Sequence, residues 1–248
     1  MNISALIIGD EILSGKRQDK HFDFLKALLA ERGLELSSVL IVGDDPQQLE
    51  RCLRFSMSSD DLVFSFGGIG ATPDDRTRQT VAKIANVPIT PHPQAIALIE
   101  KQFAERAYPN RILMGHLPEG AGLIPNPVNQ VPGFSFGHHY FMPGFPEMAW
   151  PMCRWILDTL YVDLKNQRPA SEQIIFVHGG RESDLLGIMQ QLDRDYPDLK
   201  LSSLPRLAEP PHIEMSLRGE QQRVEQAMTL LKAAIIAAGF NWQDQLTQ

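Results

Sequence analysis

Three features of the sequence predict an α/β protein with a mostly parallel sheet. Short apolar runs alternate with amphipathic stretches in the order β-α-β-α-β-α, which is the pattern of a doubly wound sheet. The run at 62–66 is rich in apolar and strand-forming residues and lies between Asp61 and Gly67, as expected of a strand buried on both faces. Three loops that contain glycine each follow a predicted strand, so the polar chemistry is expected at the carboxyl ends of the strands.

The first half of the chain predicts strands and helices in alternation. In chain order the predicted elements are strand 3–8, helix 19–32, strand 36–42, a helix from Pro46, strand 62–66 and helix 77–85. The helix at 19–32 has apolar residues at spacings of three and four, and Gly33 provides its end. Pro46 suits the first turn of the next helix, because its missing amide is not needed there.

The middle of the chain predicts less regular structure. A helix is expected from Pro93 to Ala107 and an apolar helix from Ala149 to about Leu160. Proline and glycine are dense between them, which predicts mostly irregular covering structure with short strands at 121–124 and 139–142. The adjacent His138 and His139 favour a hairpin turn over a metal site, because neighbouring strand residues face opposite ways.

The chain predicts two domains, 1–166 and 167–248. A polar stretch at 166–171 breaks the preceding helix and has the composition of a linker. Beyond it a β-α-β-β-α pattern predicts a small α+β domain for an accessory or dimerisation role: strand 172–177, helix 183–195, strands 200–204 and 212–218, and helix 221–238.

The composition excludes several classes of protein. The formal net charge is −7 and no block of lysine or arginine occurs, so no nucleic-acid partner is expected. No apolar run reaches the length of a bilayer and no signal peptide is visible, which predicts a cytoplasmic protein without a membrane partner. Cys52 and Cys153 lack the spacing of metal ligands and are expected as reduced thiols.

The central loop, 67–75, has the features of an anion site. Gly67, Gly68 and Gly70 permit backbone angles and close approaches that a side chain would forbid, and a predicted helix follows. Asp74 and Asp75 would repel a phosphate unless a cation such as Mg²⁺ lay between them. The alternative is a tight turn between strand and helix, with an aspartate as N-cap.

The other two loops are expected at the same edge of the sheet. Asp10 and Glu11 follow the first strand, and the loop 143–148 precedes the apolar helix. Because the carboxyl ends of parallel strands meet at one edge, the three loops should converge on one crevice. Asp44 and Asp45 precede Pro46 and are interpreted as capping groups instead of ligands.

These loops resemble the three signature loops of the molybdopterin-binding-domain superfamily, and within it those of the competence/damage-inducible protein A (CinA) family. The matching segments are 9–15 (GDEILSG), 67–75 (GGIGATPDD) and 143–148 (PGFPEM), with further similarity at 117–121, 126–128, 132–134 and 182–185. The resemblance covers nearly the whole chain. It implies a three-layer α/β/α fold of the molybdopterin-biosynthesis type and a homo-oligomer, either a dimer or a trimer.

For the CinA branch the resemblance further implies a pyrophosphatase that acts on ADP-ribose or a related nucleoside diphosphate compound with Mg, Mn or Co. The catalytic residues would be Asp74, Asp75 and Asp10, with Asp74 and Asp75 as the metal ligands. The expected ligand-binding residues come from the three loops and the middle segment: Gly9, Glu11, Ser14, Gly67, Gly68, Gly70, Ala71, Thr72, Asn126, Pro143, Gly144, Pro146 and Glu147. The C-terminal deamidase domain of many family members is expected to be absent.

The sequence departs from the family pattern at three places near the expected ligand. The family's Asp-Thr-Asn is replaced by Asp19-Lys20-His21, a basic segment is reduced to Asn110-Arg111, and Asn129-Gln130 stand in place of Gly-Thr. Lys20 or His21 could replace the missing basic residue, and the alternative for His21 is a surface position at the start of a helix. Two other functions remain open: a molybdopterin-binding or adenylyl-transfer protein with molybdopterin as ligand, and a non-catalytic relic of the family.

Overall fold

The structure, a computed structural model, describes residues 2–164, 170–206 and 211–245. The chain divides into two units, residues 1–167 and 168–248. The predicted domain boundary after residue 166 and most of the predicted linker lie outside the described residues, so both remain predictions.

The first unit is built on a mixed sheet whose larger part is parallel. Its strands are β1 (Ile3–Ile8), β2 (Ser38–Val42), β3 (Leu62–Phe66), β6 (Gly122–Ile124), β7 (Gly133–Phe136) and β8 (His139–Met142). Within the described residues they lie in the order β2-β1-β3-β8-β7-β6. The first four are parallel to one another, whereas β7 pairs antiparallel with both β8 and β6. The predicted α/β fold with a mostly parallel sheet is confirmed.

Helices cover both faces of this sheet. They are α1 (Asp10–Leu13), α2 (His21–Ala30), α3 (Pro46–Ser56), α4 (Thr77–Ala85), α5 (Pro93–Phe103) and α6 (Pro146–Thr159), with 3₁₀ turns at Ala104–Ala107, Arg111–Gly115 and Val162–Leu164. Leu25 of α2 and Ile156 of α6 belong to the core on one face, while Leu49 of α3 and Val81 of α4 belong to the core on the other. The result is the expected α/β/α sandwich.

The central strands are apolar because both of their faces are covered. Every residue of β1 is buried, and Ile3, Ala5 and Ile7 belong to one core while Leu6 and Ile8 belong to the other. A strand with alternating polarity would leave polar groups without partners in one of these cores. Continuous apolar character therefore places β1 and β3 at the centre of the sheet, next to each other.

Helix α2 begins two residues later than the sequence predicts. The carboxylate of Asp19 accepts the amides of His21 at 3.1 Å and Phe22 at 2.9 Å, so Asp19 stands before the helix and satisfies its first amides. The loop after β1 also differs from expectation, because residues 10–13 form the short helix α1.

The middle of the chain is more regular than predicted. Strands β4 (Ile89–Pro91) and β5 (His116–Pro118) form an antiparallel pair, and β7 joins the main sheet between β6 and β8. Each of these strands is short, and β4 and β5 each end in proline, so local pattern is a weak signal for them. His139 begins β8, and the hairpin predicted at His138–His139 connects β7 to β8.

The second unit is an antiparallel sheet with two helices, as the predicted α+β fold requires. Its elements are β9 (Ser171–His178), α7 (Glu182–Asp195), β10 (Lys200–Arg206), β11 (His212–Gly219), α8 (Gln221–Ala237) and β12 (Asn241–Gln243). The described strands lie in the order β10-β11-β9-β12. The short β12 is missed by the sequence analysis. Ile175, Met215 and Leu231 lie in the core between sheet and helices.

None of the helices in the described parts of the chain is long and apolar enough to cross a membrane.

A buried histidine makes the first unit sensitive to acid. Nε2 of His139 lies 2.6 Å from the Ser56 hydroxyl, and burial lowers the pKa of the ring to about 4, with His138 acting in the same direction and Asp61 against it. The unfolded chain has an ordinary histidine pKa near 6.5, so the unfolded state binds the proton first as the pH falls. We expect the free energy of unfolding to fall by about 3 kcal/mol between pH 6.5 and pH 4 through this residue.

Urea unfolding at pH 7 and pH 4.5, followed by the fluorescence of Trp150 and Trp155 in a Trp242→Phe background, measures this loss. The His139→Gln variant keeps a polar partner for Ser56 but does not titrate, so it should show a smaller loss than the parent. An equal loss in both proteins would contradict the assignment.

Candidate functional site

The three predicted loops meet at the carboxyl ends of β1, β3 and β8. Backbone hydrogen bonds join the loop starts to neighbouring strands, from the Gly9 amide to Val42 at 3.0 Å and from the Gly67 amide to Met142 at 2.9 Å. A crevice of about 470 Å³ opens there. Its lining includes these predicted residues: Gly9, Glu11, Gly67, Gly68, Gly70, Ala71, Thr72, Asp74, Asp75, Asn126, Pro143 and Gly144.

The glycine loop approaches β1 too closely for a side chain. Gly67 has φ +101°, and a Cβ there would collide with the carbonyl oxygen of Ile8. Gly68 has φ +68°, and a Cβ there would collide with the Thr77 hydroxyl. These positions therefore need glycine for both backbone angle and space.

The loop leaves a row of backbone amides without a protein acceptor. Across the described part of the chain, the amides of Gly68, Ile69, Gly70 and Ala71 donate to no protein atom, whereas the Thr72 amide donates to Asp75. Successive free amides in a glycine turn before a helix are the donors that bind anions in other proteins. The glycine pattern predicted such a turn, and anion binding stays a prediction.

Asp74 and Asp75 have different surroundings. Oδ2 of Asp75 accepts the Thr72 amide at 2.9 Å and the Thr72 hydroxyl at 2.5 Å, so this carboxylate braces the turn. Asp74 is exposed and lines both the crevice and an adjoining acidic hollow. The Thr72 side chain and the Asp74 backbone amide hold the pKa of Asp74 below its usual range, so it is ionised at neutral pH.

The acidic hollow is formed by the first loop and the start of α3. Four carboxylates and one cation are among the residues that line it: Asp10, Glu11, Leu13, Ser14, Lys16, Asp44 and Asp74. Oδ1 of Asp10 accepts the Asp44 amide at 3.1 Å, and Oδ2 of Asp44 accepts the Asp10 amide at 3.0 Å. Burial raises the pKa of Asp44, and the nearby carboxylates of Asp10, Glu11 and Asp74 raise it further.

One of the two predicted capping residues has another role. Asp45 is the N-cap of α3 and accepts the amides of Gln47 and Gln48, as predicted. Asp44 is not a cap, because its side chain turns to the loop of Asp10 and lines the crevice. The two residues are adjacent in the sequence. Their roles differ because β1 pairs with β2, which brings the loop of Asp10 within reach of Asp44.

The basic group in the crevice is Arg17, which the sequence analysis missed. Four carboxylates line the crevice, those of Glu11, Asp44, Asp74 and Asp75, whereas Arg17 is the cationic side chain among the described lining residues. The Arg17 amide donates to the Glu11 carbonyl at 3.0 Å and folds the segment after α1 back over the loop. A signal was present, since two basic residues, Lys16 and Arg17, follow the first glycine loop.

His21 does not replace the missing cation. The ring is 5% exposed, stacks on Phe66 with centroids 4.1 Å apart, and donates from Nε2 to the Gly144 carbonyl at 3.2 Å. Burial lowers the pKa of His21, so the ring is neutral at pH 7. The expectation for His21 is therefore wrong, and the residue instead holds the third loop against β3.

Several other residues singled out in the sequence lie outside the crevice lining, and two of them, Asp10 and Ser14, line only the acidic hollow. Lys20 is exposed and precedes α2, and Arg111 lies over the Phe103 ring with its Nη1 donating to the Arg106 carbonyl. Pro146 and Glu147 form the first turn of α6. Neither pair lines the crevice.

Two asparagines form one wall of the crevice. Asn126 is buried, and its Nδ2 donates to Oδ1 of Asn129 at 2.8 Å. Nδ2 of Asn129 lies 3.4 Å from the sulfur of Met148 in the third loop. Asn129, one of the departures from the family pattern, therefore links the middle segment to the third loop.

Arg78 is a buried cation behind the glycine loop. It is 3% exposed, and the two ends of its guanidinium donate to the carbonyls of Gly70 and Leu113. The sequence analysis assigned no role to this residue, because a single arginine near a helix start has no distinguishing pattern.

The oxygen donors of the site suit a hard divalent cation. Glu11, Asp44 and Asp74 supply carboxylates, and no soft ligand lines the acidic hollow. In the residues that the structure describes, no group of three or more His, Cys, Asp or Glu side chains is already arranged around a common metal position. A cation would therefore be completed by oxygens of a bound ligand or water, which is the usual situation for Mg²⁺.

The part of the chain that forms this crevice is similar to proteins of a known family. Residues 4–161 match a family described as a probable molybdopterin binding domain. A protein of Pyrobaculum arsenaticum is 27% identical over 237 residues, covering 91% of this chain and 88% of the relative. A CinA-like protein of Gloeobacter violaceus is 37% identical over 131 residues, covering 52% of this chain and 31% of the relative.

CinA-like relatives also match over longer stretches. One from Sulfurihydrogenibium sp. is 28% identical over 215 residues, covering 83% of this chain and 52% of the relative. The chain thus spans about half the length, or less, of these CinA-like relatives. A crystal structure of the protein CinA with unknown function from Thermoplasma acidophilum has a TM-score of 0.58 and 28% identity, over 66% of this chain and 99% of that one. The resemblance to CinA-like proteins is confirmed.

Proposed function

Because this chain belongs to the family of probable molybdopterin-binding domains and is CinA-like, we propose that its crevice binds a phosphate-bearing small molecule together with a divalent cation. We further propose that it hydrolyses a phosphoanhydride bond, with ADP-ribose or a related nucleoside diphosphate compound as substrate. The observation that supports anion binding is the row of four free amides from Gly68 to Ala71.

The charge of the crevice supports the need for a cation. Four carboxylates and one arginine give it a formal charge of −3, which would repel a diphosphate. Crowding among carboxylates raises the pKa of Asp44, after the larger effect of its burial, so the site gains stability when a positive ion enters. Phosphate and cation would therefore bind together more favourably than either alone.

The roles of the residues follow from their positions. The free amides of the glycine loop would hold the phosphoryl oxygens and stabilise the charge that builds on them. Asp74, with Glu11 and Asp44, would hold the cation, while Asp75 keeps the turn in shape through Thr72. A bound cation would offset phosphate charge and lower the pKa of a bound water. Arg17 would bind the part of the anion that faces away from the glycine loop.

Molybdopterin binding, with or without adenylyl transfer, is the second candidate. The family description supports it, and so does the rest of the crevice lining, in which two amide side chains occur with apolar ones: Asn126, Asn129, Phe103, Met114 and Met148. A flat ring with hydrogen-bonding edges would fit amide groups beside apolar side chains. Assembly as a dimer or trimer and a cytoplasmic location remain predictions.

The first experiment measures AMP release from ADP-ribose by the purified protein with Mg²⁺, Mn²⁺ or Co²⁺, and again with excess EDTA. We expect turnover that requires metal and disappears with the chelator, because the carboxylate-lined crevice repels the diphosphate when no cation is present. Calorimetric titration with molybdopterin runs in parallel.

The two candidates give different results. No turnover with any metal, together with molybdopterin binding, would reject hydrolysis and support the second candidate. Absence of both turnover and binding would reject both and leave a non-catalytic relic.

A further inference from the structure

We propose that Arg78 is a positioning residue that sets the direction of the Gly70–Ala71 peptide, so that the Ala71 amide faces the ligand. The inference rests on the proposed anion-binding function and specifies how the loop is kept competent for it. Arg78 itself does not line the crevice.

The hydrogen bonds of Arg78 that the structure describes both go to backbone carbonyls. One end of the guanidinium donates to Gly70 and the other to Leu113, and Nε has no partner. Burial lowers the pKa of Arg78, and the charge of Asp75 opposes that effect. A buried arginine that binds two carbonyls is costly to desolvate, so it is poorly explained by stability alone.

The Gly70 carbonyl determines where the next amide points. In a trans peptide the C=O and N–H bonds lie in one plane and point in opposite directions. Arg78 lies behind the loop, so its bond to the Gly70 oxygen directs that carbonyl away from the crevice and the Ala71 amide towards it. Glycine permits rotation of this peptide, so the conformation needs an external anchor.

The hydrogen bond from Arg78 to the Leu113 carbonyl connects it to a second part of the crevice lining. Leu113 belongs to the 3₁₀ turn Arg111–Gly115, and Met114, the next residue, lines the crevice. The guanidinium is a rigid planar fork, so it fixes the Gly70 and Leu113 carbonyls relative to each other. Arg78 thereby sets the spacing between the glycine loop and the Met114 wall.

Lysine cannot reproduce this geometry, because its ammonium is a single point at the end of a flexible chain. We expect Arg78→Lys to weaken the binding of inorganic pyrophosphate with Mg²⁺, measured by calorimetry, by about 10- to 100-fold, the range expected when one hydrogen bond to a charged group is lost. Adding guanidinium chloride at low millimolar concentration to Arg78→Ala should restore part of the affinity.

Arg32→Lys is the matched control. Arg32 is also a mostly buried arginine of the first unit, its guanidinium donates to the Leu28 carbonyl at 3.0 Å and to Asp158 at 2.8 Å, and its Nε likewise has no partner. It does not line the crevice. Its substitution should lower stability to a similar extent, leave pyrophosphate affinity unchanged, and show no response to guanidinium.

A crystal structure of Arg78→Lys tests the geometry without any ligand. We expect the Gly70 carbonyl to be rotated towards the crevice or to occupy two positions. Retention of the wild-type peptide orientation, or equal pyrophosphate affinity in wild type and Arg78→Lys, would overturn the inference. A wild-type protein that binds no pyrophosphate would reject the proposed function, and the peptide orientation would still decide the role of Arg78. Should Arg78→Ala fail to fold, pyrophosphate affinity and peptide orientation are both measured on Arg78→Lys.

Discussion

Replacing Asp74 with asparagine is expected to lower metal-dependent turnover of ADP-ribose by at least about 100-fold while the fold is retained. Asp74 is exposed and lines both the crevice and the acidic hollow, and asparagine keeps an oxygen that can accept from the Thr72 side chain. Loss of its charge removes a ligand for a hard cation, and such a cation typically contributes several orders of magnitude to phosphoryl chemistry. Steady-state assays across a range of Mg²⁺ concentrations should also show a higher concentration for half-maximal turnover.

Two variants make this test specific. Asp23→Asn removes a carboxylate from the exposed face of α2, where its contact with Lys26 is 3.6 Å long, and should leave turnover unchanged. Asp75→Asn should lower turnover too, but it also weakens the bonds to Thr72, so it cannot separate cation binding from loop structure. Wild-type turnover in Asp74→Asn would remove Asp74 from the mechanism.

Substitution of Gly67 by alanine is expected to destabilise the first unit by about 2–4 kcal/mol and to abolish pyrophosphate binding. The backbone angle of +101° is unfavourable for alanine, and its Cβ would collide with the carbonyl oxygen of Ile8, which belongs to a central strand and cannot move without disturbing the sheet. Urea unfolding and calorimetry on the same preparation measure the two effects.

Gly137→Ala is the matched comparison for this substitution. Gly137 also has a positive φ, +57°, in the hairpin between β7 and β8, but an added Cβ there meets no atom within 4 Å. Its expected cost is about 1 kcal/mol, the backbone term alone, with pyrophosphate binding unchanged. Equal destabilisation by the two substitutions would show that the close approach to Ile8 contributes nothing.

The structure confirms the predicted elements near the crevice where a single property of the sequence, such as continuous burial or parallel pairing, specifies them. Strand β3 coincides with the predicted 62–66, because a strand buried on both faces is mostly apolar, with Ser65 as the one polar residue of this strand. The convergence of the loops after β1, β3 and β8 follows from parallel pairing, which brings their carboxyl ends to one edge. Asn126 was expected only from the family resemblance, and the structure places it in the crevice.

The errors have a common origin in contacts between distant residues. His21 was expected to be a cation near phosphate, but its stacking on Phe66 and its bond to Gly144 make it a neutral ring. Strand β7 was missed because it is short and exists through pairing with β6 and β8. Asp44 and Asp45 are adjacent in sequence, yet only one of them meets the helix it precedes.

The amino-acid sequence alone determined the fold class and the glycine turn, and it indicated three of the four carboxylates of the crevice, those of Glu11, Asp74 and Asp75. These features depend on hydrophobic periodicity and on residue types with few structural alternatives. The tertiary structure decided which charges face a ligand. It placed Arg17 in the crevice, turned Asp75 inward to brace Thr72 and left Asp74 exposed, and buried Arg78 behind the glycine loop. The direction and ionisation of a polar side chain depend on partners far away in the chain, and those partners come together only when the sheet has formed.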